Sequence, residues 1–180
     1  MSCAAVKVYT RRIEIACDSC ITQGDTIVSS SFKKMTRATL YGHDVILAGT
    51  GSIEVIDAFR HFLISFEYEE GNKMFSSIIE FKKKLKEFVD TLDDPSREYG
   101  KNNNEYLMVI DGKAYYIHAT LIEEVENFRA IGSGMPYALT AMYLEYSPEV
   151  AVAIASELDP WVSKPINVYY VDIPEEKSGE

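Results

Sequence analysis

The chain has 180 residues, 28 of them acidic and 18 basic, for a formal net charge of −10. That size fits one domain with a proper core, and the acidic balance argues against a nucleic-acid phosphate surface. No apolar run approaches the roughly 20 residues of a membrane-spanning helix, and the N-terminus has no basic region followed by an apolar stretch, so a cytoplasmic protein without a membrane partner is expected.

Residues 3–9, CAAVKVY, read as a short apolar strand, turned back by Thr10-Arg11-Arg12 into a second. In that second strand Ile13, Ile15 and Cys17 alternate with Glu14, Ala16 and Asp18, which predicts a strand delivering one carboxylate to its mouth. A strand-end aspartate commonly caps a turn, and the company Asp18 keeps decides whether it does more. Thr22 to Asp25, with Gly24, is polar and predicts a loop. The chain returns extended from Ile27 to Ala38, carrying Lys33 and Lys34, which alternation sends to opposite faces. The residues alone do not choose which lysine points inward.

Val45-Ile46-Leu47-Ala48 predicts a buried strand ending at Gly49-Thr50-Gly51, where the glycines permit a sharp turn and close backbone approach. From Ser52, a candidate cap, the period changes, and Ile56, Phe59, Leu63 and Phe66 fall on one helical face. Phe75, Ile78, Ile79, Leu85, Phe88, Val89 and Leu92 repeat the pattern as a second amphipathic helix, with Lys82, Lys83, Lys84 and Lys86 largely on its solvated side. Residues 93–104, DDPSREYGKNNN, are the most loop-like stretch. Tyr106 to Ile110 and Lys113 to His118 form a hairpin about Asp111-Gly112, a strong short-range hairpin signal. A strand through Phe128 and Ile131 leads into Gly132-Ser133-Gly134, two shorter helices follow at Pro136 to Glu145 and Pro148 to Leu158, and INVYYVDI, 166–173, closes the sheets before a polar tail at 174–180. One domain spanning 1–180 with an α+β fold is expected. Two helix layers around a pair of packed sheets satisfy the burial needs of these stripes.

Chemistry concentrates near the N-terminus. Initiator methionine is normally removed before so small a residue as Ser2, and the exposed α-amine, with an ordinary pKa of about 7.7 to 8, could take the proton of its own hydroxyl. Such a nucleophile needs a fixed cation, an acid to orient it and an N–H donor for the oxyanion; Lys34, Asp18 and Gly49 are the candidates. Cys3 is a rival only if cleavage falls after Ser2. Cys17-x-x-Cys20 lacks the second pair that a structural zinc site requires, and His43, His61 and His118 are scattered, so neither a metal nor another cofactor is expected. The three cysteines are an odd number and read as reduced thiols.

These motifs, in this order, resemble the proteasome β subunits and their bacterial relative HslV, which are N-terminal nucleophile hydrolases. The match runs from the N-terminus to about Gly51 and again around Gly132. Ser2 and Asp18 show the family's separation of nucleophile and acid, Thr22, Gly24 and Lys34 follow as its threonine, loop glycine and lysine, and Ala48-Gly49 fits its oxyanion turn. Gly132-Ser133-Gly134 resembles the segment that opens a helix beside the nucleophile. The nucleophile position holds serine in place of the more usual threonine. Asp159 matches a further aspartate, while the serine and paired glycines that accompany it in the family are not evident in Asp159-Pro160-Trp161-Val162-Ser163-Lys164.

The resemblance implies the four-layer αββα sandwich and a peptidase in which Ser2 attacks, Lys34 lowers the amine's pKa, Asp18 orients Lys34, Gly49 binds the oxyanion and Ser133 supports the amine. It implies Thr22 pairing with an extended peptide, and Ile21, Leu47 and Gly51 around an apolar pocket. Peptide or unfolded-protein substrates, homo-oligomeric rings and an ATP-dependent unfoldase follow from it as partners; the chain itself has no G-x-x-x-x-G-K-[ST] nucleotide loop. A catalytically silent assembly subunit and an amidase acting on a small amide are the alternatives.

Overall fold

A computed structural model describes residues 2–23, 26–29, 32–40, 43–64, 83, 86–88, 90 and 104–173. Among these described residues six strands come first: β1 (Ala4–Val8), β2 (Arg12–Cys17), β3 (Ile21–Gln23), β4 (Thr26–Ser29), β5 (Met35–Leu40) and β6 (His43–Thr50). After helix α1 (Ile53–Ile64) come β7 (Glu105–Ile110), β8 (Lys113–His118), β9 (Leu121–Glu124) and β10 (Phe128–Ile131), then α2 (Met135–Tyr143), α3 (Pro148–Leu158) and β11 (Asn167–Asp172).

Two antiparallel sheets form, one ordered β10-β1-β2-β11 and the other β5-β6-β7-β8-β9, with β3 and β4 as a separate hairpin. The two-residue period of a strand divides the apolar residues between faces. Val6, Ile13 and Ile15 of the first sheet meet Ile46, Leu107 and Val109 of the second in the central core. On the outer face of the first sheet, Ala5, Ala16 and Ala130 pack against Ala138, Ala141, Met142, Ala151 and Ala155 of α2 and α3. Small residues on both sides let the helices lie close. The outer face of the second sheet presents Leu47, Tyr106, Met108 and Ile117 to Phe59 of α1, with the Phe59 and Tyr106 ring centroids 4.3 Å apart. Helix, sheet, sheet and helix therefore stack as an αββα sandwich.

Local chemistry accounts for the element ends. Asp111 and Gly112 both take positive φ, 51° and 72°, as the tight β7–β8 turn demands. Pro148 opens α3, and the Ser147 hydroxyl accepts a hydrogen bond from Val150 N. Three sequence expectations change. Thr22 lies in strand β3, because the polar stretch folds into the β3–β4 hairpin; the extended run expected over 27–38 is divided between β4 and β5. Strand β9 was not foreseen, since its two-residue connection from β8 places Ala119 at φ 49°, a role the sequence marks with no glycine. Ser52 donates its hydroxyl to Glu54 at 3.3 Å, while its carbonyl receives Ile56 N.

Lys83, Lys86 to Phe88 and Asp90 are helical, and Phe88 stacks on Phe62 with centroids 4.6 Å apart, beside the α1 layer. The rest of the second amphipathic helix, Met1, Gly24 and the tail at 174–180 lie outside the described residues.

Ile15 is fully buried between the sheets. Replacing it with alanine removes three carbons from a packed site, and Ile15→Ala is expected to lower unfolding free energy by about 2 to 5 kcal/mol. Chemical denaturation with an unchanged slope checks this.

Candidate active site

The site assembles where strand ends from both sheets meet. Strand β2 stops at Cys17, and Asp18, the next residue, is completely buried. Its main-chain N–H donates to Cys3 O at 3.0 Å, and its Oδ1 accepts from Cys3 N, also at 3.0 Å. The Oδ2 atom accepts from Cys20 N at 2.9 Å and from Ser163 N at 3.4 Å.

Lys34, one residue before β5, is 5% exposed, whereas Lys33 is exposed. The Lys34 ammonium donates to Asp18 Oδ1 at 2.9 Å, to Asp18 Oδ2 at 3.0 Å and to Ser2 Oγ at 2.8 Å. An ammonium has three N–H donors, and these contacts occupy the set. Ser2 is also buried, at 4% exposure.

The turn after β10 holds the main chain of Ser2. Gly134 N donates to Ser2 O at 3.2 Å, the Ser133 hydroxyl donates to the same oxygen at 3.3 Å, and Ser2 N donates to Ser133 Oγ at 3.2 Å. Gly132 has φ +87°, and a Cβ there would lie 2.3 Å from Ser2 O. Glycine is thus required both by conformation and by contact.

Two adjoining pockets flank the Lys34 ammonium. One, of about 460 Å³, is bounded by Ser2, Ile21, Thr22, Lys34 and Gly51. The other, of about 530 Å³, is bounded by Lys34, Phe32, Thr36 and Leu47, and both share Ile53, Glu54 and Ile56 from the start of α1. Leu47 lines the second and Ile21 and Gly51 the first, with Lys34, Ile53, Glu54 and Ile56 common to both. Gly49 lies inside β6, paired with Tyr106 of β7; the ladder pairs Met35 with Ala48, so Gly49 follows at the level of Lys34. The strand continues through Gly49 to Thr50, and the turn falls at Gly51, where φ is +110°.

Asp159 ends α3 and accepts from Trp161 N through Oδ1 at 2.9 Å. Ser163 belongs beside the site: its N–H reaches Asp18, its carbonyl receives Ser19 N at 3.2 Å, and its buried hydroxyl has no hydrogen-bond partner among the described residues. Sequence reasoning passed over Ser163, Ile53, Glu54, Ile56 and Asn104. Asn104 closes a tract that reads as loop, yet is 4% exposed and bonds both backbone groups of Ser52. Among the described residues no group of three His, Cys, Asp or Glu side chains could hold a metal, and no helix is long and apolar enough to cross a membrane.

No family model and no curated protein sequence matches the chain. Solved structures do. Thiobacillus denitrificans BPH is 19% identical with a TM-score of 0.79, over 97% of this chain and 100% of that one; BPH has also been solved in complex with epoxomicin. Eukaryotic HslV from Trypanosoma brucei is 18% identical with a TM-score of 0.69, over 94% and 99% of the two chains. Anbu, an ancestral beta-subunit, from Yersinia bercovieri is 17% identical with a TM-score of 0.70, over 96% and 81%. The chain has the αββα fold of these proteins.

Burial pushes the Cys3 thiol far above its ordinary range, helped by the nearby Cys17 and Asp18, and does the same to Cys17 with Asp18 adding to it. In the unfolded chain these thiols ionise near pH 8.5. Above that pH the unfolded state releases protons the folded state keeps, so stability falls as pH rises. Each thiol contributes a slope of up to about 1.4 kcal/mol per pH unit. Denaturation midpoints measured from pH 8 to 10 are expected to decline, and Cys17→Ala is expected to decline less steeply.

Proposed function

We propose that the chain is a peptidase subunit whose nucleophile is Ser2, exposed by removal of Met1. The observation that carries this reading is the Lys34 ammonium, which lies 2.8 Å from Ser2 Oγ while both remaining donors engage Asp18. A fixed cation beside a hydroxyl stabilises the negative charge that develops as it attacks. The BPH complex with epoxomicin, a protein of the same fold with a ligand bound, adds support.

With Met1 removed, the Ser2 α-amine takes the hydroxyl proton as Oγ bonds to the peptide carbonyl carbon. The Lys34 ammonium steadies the oxygen nucleophile and, as a neighbouring like charge, keeps the amine in its basic form. The Gly49 N–H donates to the carbonyl oxygen as it becomes an oxyanion. Collapse breaks the C–N bond, the amine passes its proton to the leaving nitrogen, and an ester to Ser2 remains for water to hydrolyse. Ser133, 3.2 Å from Ser2 N, holds the amine in place, and Asp18 holds Lys34. The extended substrate runs beside Thr22 in the β3–β4 hairpin as an added strand. Its side chains enter the pocket of Ile21 and Gly51 and the one walled by Leu47, where Ile21, Leu47, Ile53 and Ile56 favour apolar residues. The subunit works in the cytoplasm within homo-oligomeric rings, supplied with unfolded protein by an ATP-dependent unfoldase.

Intact-mass measurement with and without a peptide epoxyketone tests the reading, because that warhead needs a hydroxyl and a free amine on one residue. The expected result is a mass lacking Met1 and a single adduct that Ser2→Ala abolishes. Retained Met1 with no adduct would identify a catalytically silent assembly subunit instead.

A further inference from the structure

Asn104 and Glu105 stand together at the head of β7, in the second sheet, and reach the two turns that border the site. Asn104 Oδ1 accepts from Ser52 N at 3.2 Å and its Nδ2 donates to Ser52 O at 2.9 Å. The preceding Gly51 is pressed against the same side chain, since a Cβ there would lie 2.7 Å from Asn104 Oδ1. The pocket turn is thereby fixed to β7.

Glu105 reaches the other way. Its Oε2 accepts from Gly132 N at 3.3 Å, and its Oε1 accepts from the Tyr116 hydroxyl at 2.8 Å. Arg129 lies over the Tyr116 ring, 4.1 Å from its centroid, so the phenol that orients Glu105 is itself held by a cation–π contact. Gly132 begins the turn whose Ser133 and Gly134 bind the Ser2 carbonyl. Its own missing Cβ would lie 3.0 Å from the Thr50 methyl, and Thr50 pairs with Glu105 in the β6–β7 ladder.

The Glu105–Gly132 bond and the Arg129–Tyr116 contact cross between sheets. Ladder bonds fix strands within one sheet, and apolar packing between sheets is non-directional, whereas a hydrogen bond has a preferred length and angle. Near Ser2, Lys34 to Asp18 is one directional tie between the sheets and Glu105 to Gly132 is another. We infer that Glu105 is a positioning residue for the peptidase reaction: by holding the Gly132 turn it sets Ser2 against Lys34 and against the pocket turn that Asn104 anchors. This inference rests on the peptidase reading above.

The test compares Glu105→Ala, Glu105→Gln and Tyr116→Phe with the full-length wild type in two measurements. The first is hydrolysis of a fluorogenic peptide with an apolar residue before the cut, analysed for kcat and KM separately. Glutamine keeps an acceptor for Gly132 N and alanine does not. Misplacing a nucleophile by a fraction of an ångström to 1 Å lowers the rate steeply, so kcat is expected to fall about tenfold to a hundredfold in Glu105→Ala. KM is expected to stay near the wild-type value, Glu105→Gln to keep most of kcat, and Tyr116→Phe to fall between them. Wild-type kcat in both Glu105→Ala and Tyr116→Phe would overturn the inference, as would equal losses in Glu105→Ala and Glu105→Gln.

The second measurement is amide hydrogen exchange of the 131–135 segment, which does not need catalysis. Faster exchange there in Glu105→Ala, with β1 unchanged and with recovery in Glu105→Gln, is expected whether or not the protein cleaves peptides. Unaltered exchange would overturn the inference. Absence of wild-type hydrolysis together with the expected exchange pattern would instead count against the peptidase reading while leaving the Glu105 tie in place. Should Glu105→Ala fail to fold, Glu105→Gln and Tyr116→Phe carry both measurements.

Discussion

The buried ion pair of Lys34 and Asp18 is the constraint around which the rest of the site is arranged. Removing a charge from water is expensive, and a buried pair is tolerated only when geometry and additional hydrogen bonds satisfy both partners. Here the carboxylate receives three main-chain N–H groups besides the ammonium, from Cys3, Cys20 and Ser163. The ammonium spends two donors on Asp18 and has one left, which points to Ser2 Oγ. Loss of either charge would strand the other in the interior, at a cost of about 3 to 5 kcal/mol in comparable cases. The same arrangement that makes the pair tolerable therefore aims a cation at one hydroxyl.

The sandwich brings these groups together because Asp18 follows β2 in one sheet and Lys34 precedes β5 in the other. Each sheet buries one face against its partner and the other against helices, which leaves the strand ends as the place where polar groups of both sheets can meet. Gly132 and Gly51 take the positive φ values that bend the chain there, and their missing side chains leave room for Ser2 O and Asn104. The turn at Gly132 holds the main chain of Ser2, and Lys34 faces its hydroxyl.

Much of this was legible in the residues. The alternation of Ile13, Ile15 and Cys17 placed Asp18 at a strand end, Asp111-Gly112 marked its hairpin, and the Phe59 stripe marked α1. Periodicity could only say that Lys33 and Lys34 face opposite ways; choosing Lys34 required the resemblance to a family, and the burial of Lys34 alone agrees with that choice. Signals failed where tertiary contact, not local preference, sets the role. Asn104 reads as part of a polar loop because its partner Ser52 is remote in sequence, and nothing local marks Glu105, whose bonds go to Gly132 and Tyr116. Strand β9 was hidden because an alanine occupies the left-handed turn position.

Under the proposed mechanism Lys34 acts on Ser2 through charge. The most direct measurement is kcat for an apolar fluorogenic peptide in Lys34→Met, a variant of similar length without the ammonium, with folding verified by circular dichroism. A loss of about a hundredfold or more is expected, as removal of a donor to a developing negative charge produces elsewhere. A folded Lys34→Met protein that cleaves the peptide at the wild-type rate would contradict that mechanism.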